Sequence, residues 1–164
     1  MGSKMSRDAY GYLAHLEQER YRVIILHAEP EKGPSVTQFA KKICAQLDGK
    51  YLDLLDLFIK TKELSEHIDR FSPEELRKLL IEESIGHTLI VIDRIDFLLD
   101  TWRRAEKKDF FGLLDKNQWD GFKEGMKARL MICLQTSQEI EGLQISDSQD
   151  QSRVFRLSDF NDIL

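Results

Sequence analysis

Cysteine is scarce, and the two that occur, Cys44 and Cys133, stand far apart in apolar surroundings. That excludes a disulfide framework and a zinc spacing, and it predicts two buried free thiols. Long hydrophobic runs are missing. No stretch of about 18 apolar residues exists, so nothing reads as a membrane span. Met1 to Met5 carries no apolar run and does not read as a signal peptide. Met1-Gly2-Ser3-Lys4 ahead of a second Met reads as an appended leader, with the domain proper running from Ser6 to Leu164. A soluble cytoplasmic protein is the expectation. Positive charge is not in excess: 24 Lys and Arg face 29 Asp and Glu, a formal net charge of −5, which argues against a dedicated nucleic-acid binder. His15, His27, His67 and His87 have no mutual metal-ligand spacing. No nucleophile elbow or Ser-His-Asp signature appears.

What is present is a globular composition. Apolar residues make up 41% and charged residues 32%, enough for one real core and too apolar for a disordered chain to be the simpler reading. At 164 residues the chain reads as a single domain, with no room for a separate helical lid.

The hydrophobic pattern alternates between helix and strand. Ser6 to Arg20 reads as a helix capped by Ser6. Arg22 to His27 is a short β-branched run, hence a buried strand. Val36, Phe39, Ala40, Ile43, Cys44 and Leu47 then mark one face of a helix. Lys50 to Leu55 reads as a second strand. Helices are expected over Lys60 to Arg70 and Pro73 to Glu83, the latter opened by Ser72, Pro73 and Glu75 as a capping box and ended near Gly86. His87 to Asp93 is the clearest strand. Asp109 to Phe122 reads as a helix, Ala128 to Leu134 as a strand, Ser146 to Ser152 as a polar loop, and Val154 to Leu157 as a last strand. Alternation of this kind predicts a three-layer α/β sandwich with a mainly parallel sheet. Ligands in such folds sit at the carboxyl ends of the strands.

Three strand ends therefore carry the candidate chemistry. After the first comes Ala28-Glu29-Pro30-Glu31-Lys32-Gly33-Pro34-Ser35. A phosphate-binding P-loop is G-x-x-x-x-G-K-[ST] between a strand and a helix. Ala28 stands for the first Gly, Gly33 for the second, Pro34 for the Lys and Ser35 for the Ser/Thr. The spacing survives and two key residues do not. Pro34 supplies neither an N–H nor a cation, and Glu29 and Glu31 put carboxylates where an anion would sit. Lys32 is the one substitute cation within reach. The second strand end, Leu89 to Asp93, fits the Walker B pattern, in which the Asp holds Mg²⁺. Arg94 follows where a water-activating Glu would stand, and Asp96 is a displaced candidate carboxylate. At the third, Gln135 and Thr136 are polar residues at the close of a strand.

This layout resembles the core of the P-loop NTPases of the additional-strand class, which includes the AAA proteins, over Tyr21 to Leu157. The resemblance implies a five-stranded sheet of order 5-1-4-3-2, with Gln135 or Thr136 as a γ-phosphate sensor. The small size, the short N-terminal helix, Arg20-Tyr21-Arg22-Val23-Ile24-Ile25-Leu26, and Ile92-Asp93-Arg94-Ile95-Asp96-Phe97-Leu98-Leu99 are more specific. They resemble the BrxF family of small P-loop proteins of the type 3 BREX phage-defence systems. The departures at Ala28 and Pro34 weigh against ATP hydrolysis.

The function expected is that of a catalytically degenerate P-loop NTPase-fold accessory subunit, without a cofactor and with a protein partner. Trp102, Trp119 and Phe122 are candidate anchors for that partner. One alternative is a divergent Mg-ATP-dependent ATPase using Lys32, Ser35, Asp93 and Asp96, with Asp93 as the metal ligand. The other is a DNA-contacting accessory protein using the basic cluster Arg103, Arg104, Lys107 and Lys108.

Overall fold

A computed structural model describes residues 8–116 and 128–160. Five strands form one all-parallel sheet: β1 (Val23–Ala28), β2 (Lys50–Asp53), β3 (Leu89–Asp93), β4 (Arg129–Gln135) and β5 (Val154–Arg156). Their spatial order is β2-β3-β4-β1-β5, the order the resemblance implies. β1 lies inside the sheet between β4 and β5, and every residue from Val23 to Ala28 is buried. A strand covered on both faces must be apolar throughout, which is why Val-Ile-Ile-Leu carries no polar alternation.

The two faces bury different residues. Ile24, Leu26 and Ala28 point into one core cluster with α1 (Ala9–Leu16) and α2 (Gly33–Leu47). Val23 and Ile25 point into the other. That second core is built by α3 (Leu54–Lys60), α5 (Pro73–Ser84) and α7 (Arg104–Lys116), through Leu54, Phe58, Leu76, Leu80, Phe110 and Leu114. The short helices α4 (Lys62–Glu66), α6 (Asp96–Leu99) and α8 (Gln138–Glu141) sit in the connections. Val36, Phe39, Ala40, Ile43 and Cys44 form the buried face of α2, as their spacing predicts. Both cysteines are buried and free.

Several boundaries differ from the sequence expectation. The first helix starts at Ala9, with Asp8 accepting from the Tyr10 N–H at 3.1 Å, and it ends at Leu16; Ser6 lies outside the described residues. The second strand stops at Asp53, because its carboxylate accepts from the Asp56 N–H at 3.1 Å and starts α3. The helix expected over Lys60 to Arg70 is broken into α4 and a 3₁₀ turn at Ile68–Arg70, neither of which has a buried residue to hold one continuous face. The Ser72–Glu75 capping box forms as expected. Gly86 follows the α5 terminus at φ +84°, a conformation that suits glycine. α7 begins at Arg104 rather than Asp109, and residues 117–122, with Trp119 and Phe122, lie outside the described residues.

Among the described residues two arginines are buried. Arg153 donates to the carbonyls of Ser146, Val23, Leu114 and Asp115, and to the Asp115 carboxylate at 3.1 Å. It joins β5, β1 and α7 at the amino end of the sheet. Arg129 donates to the Leu13 and Thr88 carbonyls and ties α1 to β4. Burial lowers the pKa of both guanidinium groups, and the carbonyl shells offset that cost.

Candidate functional site

A cleft of about 540 Å³ opens where β1, β2, β3 and β4 end. Ala28, Gly33 and Pro34 form one wall, Asp53, Asp93, Arg94 and Asp96 another, and Gln135 a third. Ala28, Gly33, Pro34, Asp93, Asp96 and Gln135 are thus brought together as the sequence suggested. Lys32 and Ser35 are exposed and do not line the cleft.

The β1–α2 connection is not a phosphate cradle. Pro30–Lys32 forms a 3₁₀ turn that runs directly into α2. A P-loop works by leaving backbone N–H groups free to point at phosphate oxygens. Here the Lys32 N–H donates to the Glu29 carbonyl at 2.8 Å, and the Gly33 N–H donates to the Pro30 carbonyl. Pro30 and Pro34 have no N–H to offer. Gly33 is helical, at φ −49° and ψ −48°, and a Cβ there would meet nothing within 4 Å. The conformational reason for glycine in a P-loop is therefore absent. Pro30 is the residue sequence reasoning passed over. Its signal was visible, since proline followed by Glu31 is a helix-start pattern.

The Walker B-like carboxylate is occupied. Asp93 is 4% exposed. Its Oδ2 accepts from the Thr37 hydroxyl at 2.6 Å and from the Tyr51 hydroxyl at 2.7 Å, and its Oδ1 accepts from the Arg94 N–H at 2.9 Å. Burial first, then the Asp93 carboxylate, push the Tyr51 phenol well above its ordinary pKa, so it stays a donor. Ser35 was the hydroxyl that the P-loop spacing picked out. The α2 hydroxyl that reaches Asp93 belongs to Thr37, two residues further along the helix.

Arg94 has φ +58°, a left-handed conformation that costs a bulky residue roughly 1–2 kcal/mol. Its Nε donates to Asp53 Oδ1 at 3.0 Å and Oδ2 at 2.9 Å, and its terminal nitrogen also donates to Oδ2. Burial raises the Asp53 pKa, but the Arg94 fork, the Asp56 N–H and nearby Lys41 outweigh it and hold the carboxyl below its ordinary value. Lys41 lies with its Nζ 5.4 Å from the centre of the Tyr51 ring. It is exposed while also lining the cleft.

Asp96 opens α6 and accepts from the Gln135 N–H at 2.9 Å. Burial is the first cause of its raised pKa, and Asp100 and Asp93 add to it. Gln135 lines the cleft, whereas Thr136 pairs its hydroxyl with His27 Nδ1 at 2.8 Å. His27 is 5% exposed and lies on the sheet face away from α2, so it does not face the cleft.

These residues do not fit Mg-ATP. The cleft is lined by four carboxylates, Glu29, Asp53, Asp93 and Asp96, against two cations, Lys41 and Arg94. The Lys32 and Gly33 N–H groups are bonded within the loop, and Asp93 already accepts from three donors. Among the described residues, no group of three or more His, Cys, Asp or Glu is placed to hold a metal.

The basic cluster lies apart from the cleft. Arg103, Arg104 and Lys108 are exposed and Lys107 is half-buried, at the start of α7. Trp102 is not an exposed anchor. It is 6% exposed, packs 5.2 Å from the Phe110 ring and donates its indole N–H to the Phe71 carbonyl at 2.6 Å. No helix among the described residues is long and apolar enough to cross a membrane.

No family model, no curated protein and no solved structure matches the chain.

Proposed function

We propose that the chain is a catalytically degenerate P-loop NTPase-like accessory protein of the cytoplasm, acting by binding a protein partner rather than by turning over nucleotide. The observation that carries this reading is the β1–α2 connection, where the Lys32 and Gly33 N–H groups are bonded within the chain and Pro30 and Pro34 have none to offer. The strand order and the position of Asp93 at the end of β3 support descent from a nucleotide-binding architecture. The phage-defence setting, as an interaction subunit of a BREX-like complex, rests on the sequence resemblance at Arg20–Leu26 and Ile92–Leu99 alone. The ATPase alternative is disfavoured because Lys32 and Ser35 lie outside the cleft and Asp93 is held by Thr37 and Tyr51.

The test is ATP turnover together with Mg-ATP calorimetry at millimolar nucleotide. The expected result is no turnover and no Mg²⁺-dependent heat. Turnover, or Mg²⁺-dependent binding that Asp93→Ala abolishes, would overturn the proposal.

A second reading has one observation in its favour: Arg103, Arg104 and Lys108 lie exposed together on one helix start. Contact with nucleic-acid phosphates there requires DNA binding at low salt that falls steeply with added salt and is weakened by charge reversal at these three positions. No DNA binding at low salt removes it.

A further inference from the structure

The mouth of the cleft pairs cations with a carboxylate in a geometry that a ligand could replace. Arg94 presents its Nε edge to Asp53 as a two-point fork, the geometry with which arginine also takes phosphoryl groups and free carboxylates. The Arg94 side chain is 51% exposed, so water reaches the pair and exchange of its partner is cheap. Lys41 lines the same cleft, its Nζ 5.4 Å from the centre of the Tyr51 ring. Two cations from separate elements, α2 and the β3–α6 turn, thus line one cleft, and the chain itself supplies the oxyanion that Arg94 holds there.

The other carboxylates of the cleft are each engaged elsewhere. Asp93 accepts from Thr37, Tyr51 and the Arg94 N–H. Glu29 takes Arg156 at 2.8 Å, and Asp96 takes the Gln135 N–H. Removing the Asp53 charge therefore leaves Arg94 and Lys41 as the unmatched groups at the mouth.

We propose that this mouth is an oxyanion site kept shut by the chain's own carboxylate: Asp53 occupies the Arg94 fork where a ligand's carboxylate or phosphoryl group would dock beside Lys41. The inference rests on the reading above in one respect. A cleft without a working cradle leaves this pair as its place for an anion, so an anionic group on a small molecule or a partner competes with Asp53 rather than with a P-loop.

The experiment titrates pyrophosphate and malonate, at constant ionic strength, into the unmodified chain, Asp53→Asn, and Asp53→Asn combined with Arg94→Gln. Asp53→Asn is expected to bind at least one of the two anions roughly tenfold tighter than the unmodified chain, and Arg94→Gln is expected to remove the gain. A gain with pyrophosphate alone assigns a phosphoryl ligand; a gain with malonate alone assigns a carboxylate. No gain with either anion, or a gain that survives Arg94→Gln, overturns the proposal. Asp53 also caps α3, so Asp53→Ser serves as a second variant that removes the charge and keeps an acceptor for the Asp56 N–H. The unmodified chain gives a mutation-free readout: saturating pyrophosphate or malonate should shift the Arg94 Nε–H resonance, and a resonance unmoved by both overturns the proposal. Turnover of Mg-ATP would sink the accessory reading without deciding this one, since it reports the cradle and Asp93 rather than the fork.

Discussion

The Thr37 hydroxyl donates to the buried Asp93 carboxylate at 2.6 Å, joining α2 to the end of β3. Tyr51 donates to the same oxygen from β2. Asp93 thereby serves as a junction between three elements, and its conservative amide variant should be poorly tolerated. In Asp93→Asn one amide face is a donor. With the amide oxygen kept on the Arg94 N–H, the amide nitrogen faces the Thr37 and Tyr51 hydroxyls, which must turn from donors to acceptors and lose a charge-assisted bond each. In the other orientation it meets the Arg94 N–H, a pure donor. The expected loss is about 1–3 kcal/mol by denaturant unfolding, with Thr37→Val costing less because it removes one donor of three. A neutral Asp93→Asn would contradict the junction.

Arg94 tests backbone strain against the salt bridge. Both Arg94→Ala and Arg94→Gly lose the fork to Asp53, but only glycine takes φ +58° without a Cβ penalty. Arg94→Gly should therefore melt higher than Arg94→Ala, by a stability difference on the order of 1 kcal/mol. Equal melting temperatures would mean that the turn relaxes once the fork is gone.

Restoring the missing lysine is expected to fail. Pro34→Lys returns a cation and an N–H at one position, yet the Lys32 and Gly33 N–H groups stay committed to Glu29 and Pro30. Calorimetry should show no Mg-ATP binding to Pro34→Lys alone. Binding by that single variant would mean that the loop rearranges readily and that the cradle is latent.

Asp96 gives the fold a pH signature. Burial holds its folded pKa above the ordinary 3.8, so its contribution is fully present below that value and is lost as pH rises through the higher folded value. Asp96→Asn removes the charge and keeps an acceptor for the Gln135 N–H. The variant should match or exceed the parent melting temperature near pH 7, with an advantage that shrinks as the pH falls toward about 3. An advantage that grows on acidification would contradict this assignment.

The sheet was legible because its strands are short β-branched runs closed by polar or turn residues, as at Leu89 to Asp93. The start of α5 was legible because Ser72, Pro73 and Glu75 form a local signal. α3 was not, because Leu54, Leu55, Leu57 and Phe58 continue the apolar run of β2, and only the Asp53 cap separates strand from helix. The cleft was legible as a place, from the ends of β1, β3 and β4. Its wiring was not. Counting along the P-loop spacing leads to Ser35, whereas the turn of α2 brings Thr37 to Asp93. Tyr51, Asp53 and Lys41 join the site only through the pairing of β2 with β3 and the packing of α2, which sequence spacing does not encode. Trp102, a candidate anchor in the sequence, is buried against Phe110 although Arg103 and Arg104 beside it are exposed.

The most direct measurement follows the backbone amides of Glu31 to Ser35 by NMR while Mg-ATP is added to millimolar concentration. The expected result is that the Lys32 and Gly33 resonances stay in place, because those N–H groups are bonded to Glu29 and Pro30. Saturable shifts across Glu31 to Ser35 would mean that the connection opens around phosphate, and would contradict the absence of a cradle.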